Sequence, residues 1–209
     1  MGETGVIAGV LVLYAAAVLS PGANPALVSR LAMSGQRRAA IAAACGVAMA
    51  STFYAILTMS GLGVALDAPW IKLGVALAGG TYLIYLGARA WTKVPARRSV
   101  TADPVVNSAT DGLVSGLLVN LSNPNTIAFF VSLYAATVPV DTPAWARAVI
   151  VAGGLGVELS WYGTLTLALS RPGPQAIYRR YSLWIERAVG LLFLGFGVLL
   201  ILRRLTGGA

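Results

Sequence analysis

From Ala39 to Leu66 the chain carries no charged residue. A helix needs about 20 consecutive apolar residues to cross the hydrocarbon core of a bilayer, so this stretch alone points to a membrane span. Further long apolar runs stand at about 5–33, 70–91, 112–138, 144–170 and 183–202. Runs of this length suit helices; barrel strands would be about half as long and would alternate. The whole chain is 57% hydrophobic and 11% charged, against about 25% charged in soluble domains. Its mean hydropathy is +0.78. The spacing predicts an all-α integral membrane protein with six transmembrane helices. Met1-Gly2-Glu3-Thr4 lacks the basic flank of a signal peptide, so the first run is read as the first span.

Two of the runs are interrupted in the same way. Ser20-Pro21-Gly22-Ala23-Asn24-Pro25 breaks the first, and Leu121-Ser122-Asn123-Pro124-Asn125 breaks the fourth. Pro inside a helix removes a backbone hydrogen bond and clashes with the preceding turn. At membrane depth the freed backbone groups must be buried in protein or line a cavity. Asn is a favoured N-cap and Pro a favoured first helical residue. Both Asn-Pro pairs therefore read as starts of new half-helices.

The breaks recur at equivalent places. Residues 1–92 hold a broken helix and two whole ones. Residues 93–109 form a polar linker, expected to be cytoplasmic, and residues 110–209 repeat the plan. Three spans per repeat reverse the direction of entry, which is the plan of two inverted repeats in one membrane domain. Arg37 and Arg38, then Arg97 and Arg98, then Arg179 and Arg180 cluster on the odd-numbered connections. The positive-inside rule makes those connections cytoplasmic and both termini external, although Arg203 and Arg204 at the end run against this. The net charge of +8 is assigned to topology and anionic lipid, with no nucleic acid as partner.

A half-helix N-terminus carries partial positive charge and free N–H groups. The candidate substrate-binding residues are accordingly Pro21, Gly22, Asn24 and Pro25 at the first break. At the second they are Asn120, Asn123, Pro124 and Asn125. The alternative is a pair of packing kinks with a buried structural hydrogen-bond cluster. Glu158 is the acidic residue set well inside an apolar run. An intramembrane carboxylate is expensive and marks a functional candidate. It can pair with a substrate ammonium or take up a proton during a transport cycle. Its structural alternative is a hydrogen bond to Trp161, Tyr162 or another helix. On the third helix, Gly74, Ala78, Gly80 and Gly87 suit close helix contact.

Several classes are excluded by what the chain lacks. It has no His and a single cysteine, Cys45. That disfavours a soft-metal site, His-based catalysis and an internal disulfide. There is no Gly-x-x-x-x-Gly-Lys-Ser/Thr motif, so energy would come from a gradient. No close pair of intramembrane carboxylates is visible. The chain is therefore read as a non-enzyme, without cofactor or bound metal.

Taken together, these residues resemble the lysine exporter (LysE/RhtB) family of bacterial amino-acid exporters. Its first signature, Pro-Gly-Pro-Asn followed by a Gly-basic-basic type of turn, stands here as Pro21-Gly22-Ala23-Asn24 and Gly35-Gln36-Arg37-Arg38. Its second, Asn-Leu-x-Asn-Pro-Lys, stands as Asn120-Leu121-Ser122-Asn123-Pro124-Asn125, between Gly116 and Phe129-Phe130. Gly79, Tyr82-Leu83, Tyr85 and Gly87 are similar to the family's third helix. The resemblance implies a secondary-active exporter in the bacterial inner membrane. It would move amino acids or related small metabolites, by proton exchange, as a homodimer. The wider superfamily implies an ion or heavy-metal exporter as the alternative. Ala23 replaces a family Pro, and Asn125 replaces a family Lys, removing a positive charge from the second break.

Overall fold

The residues that stop helices sit at helix ends, and in the computed structural model they divide the described residues into eight helices. The structure describes residues 3–20, 22–65, 69–92, 108–139 and 141–205. Pro21 and most of the linker (93–107) lie outside the described residues. The elements are α1 (Glu3–Leu19), α2 (Ala23–Met33), α3 (Arg37–Ala65), α4 (Pro69–Thr92), α5 (Ala109–Leu121), α6 (Pro124–Thr137), α7 (Ala144–Leu169) and α8 (Pro172–Leu205). There are no strands among the described residues.

Within α3 and α7, Arg37–Ser60 and Ala144–Leu169 are each long and apolar enough to cross a membrane. The α1–α2 pair passes the same test jointly, bent by 52° at its break. Large apolar side chains such as Met49, Phe53, Ile56, Leu118 and Leu191 point outward. A surface this apolar belongs against lipid rather than water.

Local chemistry explains the boundaries. Gly35 has φ 80°, the left-handed value that closes α2. The Gly35 N–H donates to Ala32 O, and the Gln36 N–H to Leu31 O, the paired bonds of a Schellman cap. α8 begins at Pro172, well before the expected start near residue 183, and takes in the basic stretch Tyr178–Tyr181. Pro172 and Pro174 fall in its first turn, where helical N–H groups have no intrahelical acceptor. These prolines therefore stand between the end of α7 at Leu169 and the start of α8, and they open the second helix.

Small residues set the helix spacing. α3 lies along α5, with Gly112 and Gly116 seated over the Ala39 and Ala43 carbonyls and Gly46 over the backbone of Leu113 and Leu117. α4 lies along α8 through two glycine crossings, Gly80 with Gly197 and Gly87 with Gly190. Gly74, expected at such a contact, faces open space. Without a hydrophobic driving force between helices in lipid, close backbone approach supplies the packing energy. An aromatic cluster fills the centre. Phe130 meets Tyr14 edge-on at 5.7 Å and Tyr134 at 5.7 Å, and Phe129 lies 5.9 Å from Phe193.

Candidate functional site

The two breaks differ in how they are built. At the second, Asn123 is the N-cap of α6; its Oδ1 accepts from the Asn125 N–H at 3.0 Å, and Pro124 opens the helix. At the first, the cap is Gly22, in extended backbone and with no side-chain cap bond. Asn24 and Pro25 lie inside the first turn of α2, and the Ala26 N–H donates to Gly22 O at 3.1 Å. Reading Asn24 as a cap is therefore corrected. Pro25 sits where no N–H is needed, and the Asn24 side chain is released for a longer-range contact.

That contact is with Asn120. Asn24 Nδ2 donates to Asn120 Oδ1 at 2.9 Å, and Thr126 Oγ1 donates to the same oxygen at 2.9 Å. Asn120 Nδ2 donates to Val47 O and to Ser51 Oγ, both at 2.8 Å. Asn120 is 0% exposed, and all of its hydrogen-bonding capacity is used. Ser51 Oγ in turn donates to Glu158 Oε1 at 3.0 Å, and the Tyr14 hydroxyl donates to Glu158 Oε2 at 2.8 Å. Glu158 is 2% exposed. Its partners are thus Tyr14 and Ser51, side chains of other helices, as one of the structural alternatives had it. One continuous chain of hydrogen bonds joins side chains of α1, α2, α3, α5, α6 and α7. A buried polar chain of this kind rigidifies the elements it joins to the extent that its members are satisfied.

Two tyrosines brace the second break. The Tyr54 hydroxyl donates to Leu121 O at 2.7 Å, taking up a carbonyl at the end of α5. The Tyr82 hydroxyl lies 3.4 Å from both Asn125 O and Asn125 Oδ1.

Between the two breaks and α7 lies a cavity of about 240 Å³. Gly22, Asn24 and Pro25 line it from the first break, Asn120, Asn123 and Asn125 from the second, and Glu158 from α7. Leu86, Phe129, Phe130 and Phe193 supply apolar wall. The volume lies below the ~300 Å³ at which drug-sized pockets begin, and suits a small metabolite. Pro21 lies outside the described residues. Tyr14, Ser51 and Tyr54 carry no local signal in the sequence. They are a hydroxyl or phenol among apolar neighbours, and only a rule that intramembrane polar groups need partners would single them out. Arg89, which the sequence did not single out as a site residue, also lines the cavity.

The family model of the LysE type translocator matches residues 15–204. The chain belongs to that family. LysE translocators are transporters, and helices able to span a membrane accord with this. Among its relatives, the threonine efflux protein of Escherichia coli K12 is 29% identical over 199 residues, covering 93% of this chain and 97% of the relative. An uncharacterised membrane protein of Pseudomonas aeruginosa is 31% identical over 200 residues, covering 87% and 88%. The homoserine/homoserine lactone efflux protein of Salmonella typhimurium is 24% identical over 194 residues, covering 87% and 89%. No solved structure matches the chain.

Proposed function

We propose that this LysE translocator exports amino acids or closely related small metabolites across the bacterial inner membrane, driven by exchange with protons. The observation that carries the reading is the cavity. Two helix N-termini at Asn-Pro breaks, far apart in sequence, line one small space together with an acidic residue buried within α7. Helix N-termini favour a carboxylate, and a buried carboxylate is suited to proton exchange. The efflux proteins among the relatives, named for threonine and for homoserine and its lactone, support amino acids and related small metabolites as the solute class.

In this reading the spans are α1 with α2, α3, α4, α5 with α6, α7 and α8, arranged as two inverted repeats. Equivalent members pack together, α3 on α7 and α4 on α8, as a pseudo-twofold arrangement would have them. The basic connections face the cytoplasm and both termini face outward.

Glu158 is the coupling residue. Ionised, it accepts from Tyr14 and Ser51. Protonated, it must find an acceptor, and Ser51 Oγ already accepts from Asn120. A change of proton state at Glu158 is therefore felt along Ser51 and Asn120 to Asn24, and so at both breaks. Labelled threonine, homoserine and other amino acids in proteoliposomes, with and without an imposed pH gradient, test the proposal. Gradient-dependent movement is expected. Absence of such movement for every amino acid would overturn it.

A further inference from the structure

The amide orientations in the buried chain are fixed by a group that cannot donate. Val47 O is a backbone carbonyl, so the side chain of Asn120 must turn its Nδ2 towards it. Asn120 Oδ1 then faces Asn24, which must answer with its own Nδ2. The consequence falls on Asn24 Oδ1, a buried acceptor with no hydrogen-bond partner in the structure, on a residue that lines the cavity. A buried acceptor left unsatisfied is costly; this one is closed off from the cavity, so it still calls for a donor that no solute there can supply. Glu158 cannot supply it as a carboxylate, and both of its oxygens are already engaged.

At the exposed side of the same cavity stands Arg89, in the last turn of α4. It is the cationic side chain among the described residues lining the cavity. The carboxylate that shares the cavity with it, Glu158, is taken by Tyr14 and Ser51. The cavity thus offers a guanidinium at its open part. A guanidinium binds a carboxylate through two parallel hydrogen bonds in a plane, a geometry that an ammonium does not reproduce.

Building on the export reading above, we propose that Arg89 recognises the carboxylate of the transported solute. Arg89 then sets specificity. The site takes the free α-amino acid and discriminates against analogues that keep the ammonium but lack the carboxylate. Homoserine and its lactone differ in this way, as do threonine and threonine amide.

The test measures binding to the detergent-solubilised full chain by ligand-induced thermal stabilisation, using these two pairs of compounds. Wild type is expected to bind homoserine and threonine at least tenfold tighter than the lactone and the amide. Arg89→Gln is expected to erase that difference, and Arg89→Lys to keep only part of it. If Arg89 is merely an interfacial anchor of α4, Arg89→Gln keeps the wild-type preference; that result overturns the proposal. So does a wild type that binds acid and lactone equally. Because the readout is binding, it stands apart from the export reading. A wild type that prefers the amino acids but does not move them in vesicles refutes export and leaves the Arg89 assignment in place.

Discussion

Replacing Asn120 with Leu tests whether the buried polar chain holds the two breaks together. The side chains are close in size, so little cavity is made, but four hydrogen bonds disappear. Side-chain hydrogen bonds within membrane proteins average about 0.6 kcal/mol each, which gives roughly 2–3 kcal/mol for the set. Thr126 can turn its hydroxyl back to its own helix. Asn24 Nδ2 is held in place by the first turn of α2 and loses its acceptor. For a chain of this size, 1 kcal/mol corresponds to about 2–4 °C. The melting temperature in detergent should therefore fall by roughly 5–10 °C. A double-mutant cycle sharpens the test. Asn24→Leu should cost less in the Asn120→Leu background than in wild type, with a coupling of about 1 kcal/mol, because the donor it removes is already orphaned. A fall below about 2 °C, or strict additivity, would show that the Asn24–Asn120 bond does not tie the breaks.

Four further substitutions follow from the same geometry. Gly116→Ala drives a Cβ into the Ala43 carbonyl and should cost about 1–3 kcal/mol by overpacking, seen as loss of a monodisperse peak on size exclusion. Gly156→Ala, where nothing lies within 4 Å, should leave that peak intact. Asn123→Ala removes the cap of α6 and should lower stability by about 1 kcal/mol, with transport falling as α6 loses its fixed start; an unchanged melting temperature would contradict the capping role. Glu158→Gln keeps the shape of the side chain but holds it permanently uncharged, so transport in vesicles should cease to respond to an imposed pH gradient. An unaltered pH profile would confine Glu158 to a structural role.

Much of this molecule is written locally. Runs such as Ala39 to Leu66 fix a membrane helix because burial of apolar side chains in lipid is a property of the segment itself. Asn123-Pro124 fixes a helix start because cap and proline act within one turn, and Glu158 stands out because a carboxylate in such a run is costly wherever it points. Near Pro25 the same local reasoning misplaces the cap, since Gly22 in extended backbone closes the first break without a side chain. At Pro172 it misses a helix start that the first turn tolerates.

What the chain could not announce is which polar side chains would meet. Asn24 and Asn120 are 96 residues apart, Ser51 and Asn120 69, and Tyr14 and Glu158 144. In lipid every apolar face is nearly equivalent, so hydropathy does not say which way a helix turns. Rotation and spacing are decided where backbones touch, at Gly46, Gly112 and Gly116 between α3 and α5, and at Gly80, Gly87, Gly190 and Gly197 between α4 and α8. Those contacts direct Ser51 and Asn120 inward and place Arg89 on the cavity. Sequence determined the apolar runs, the breaks and the stock of polar groups; tertiary packing alone decided that the polar groups form one chain around one cavity.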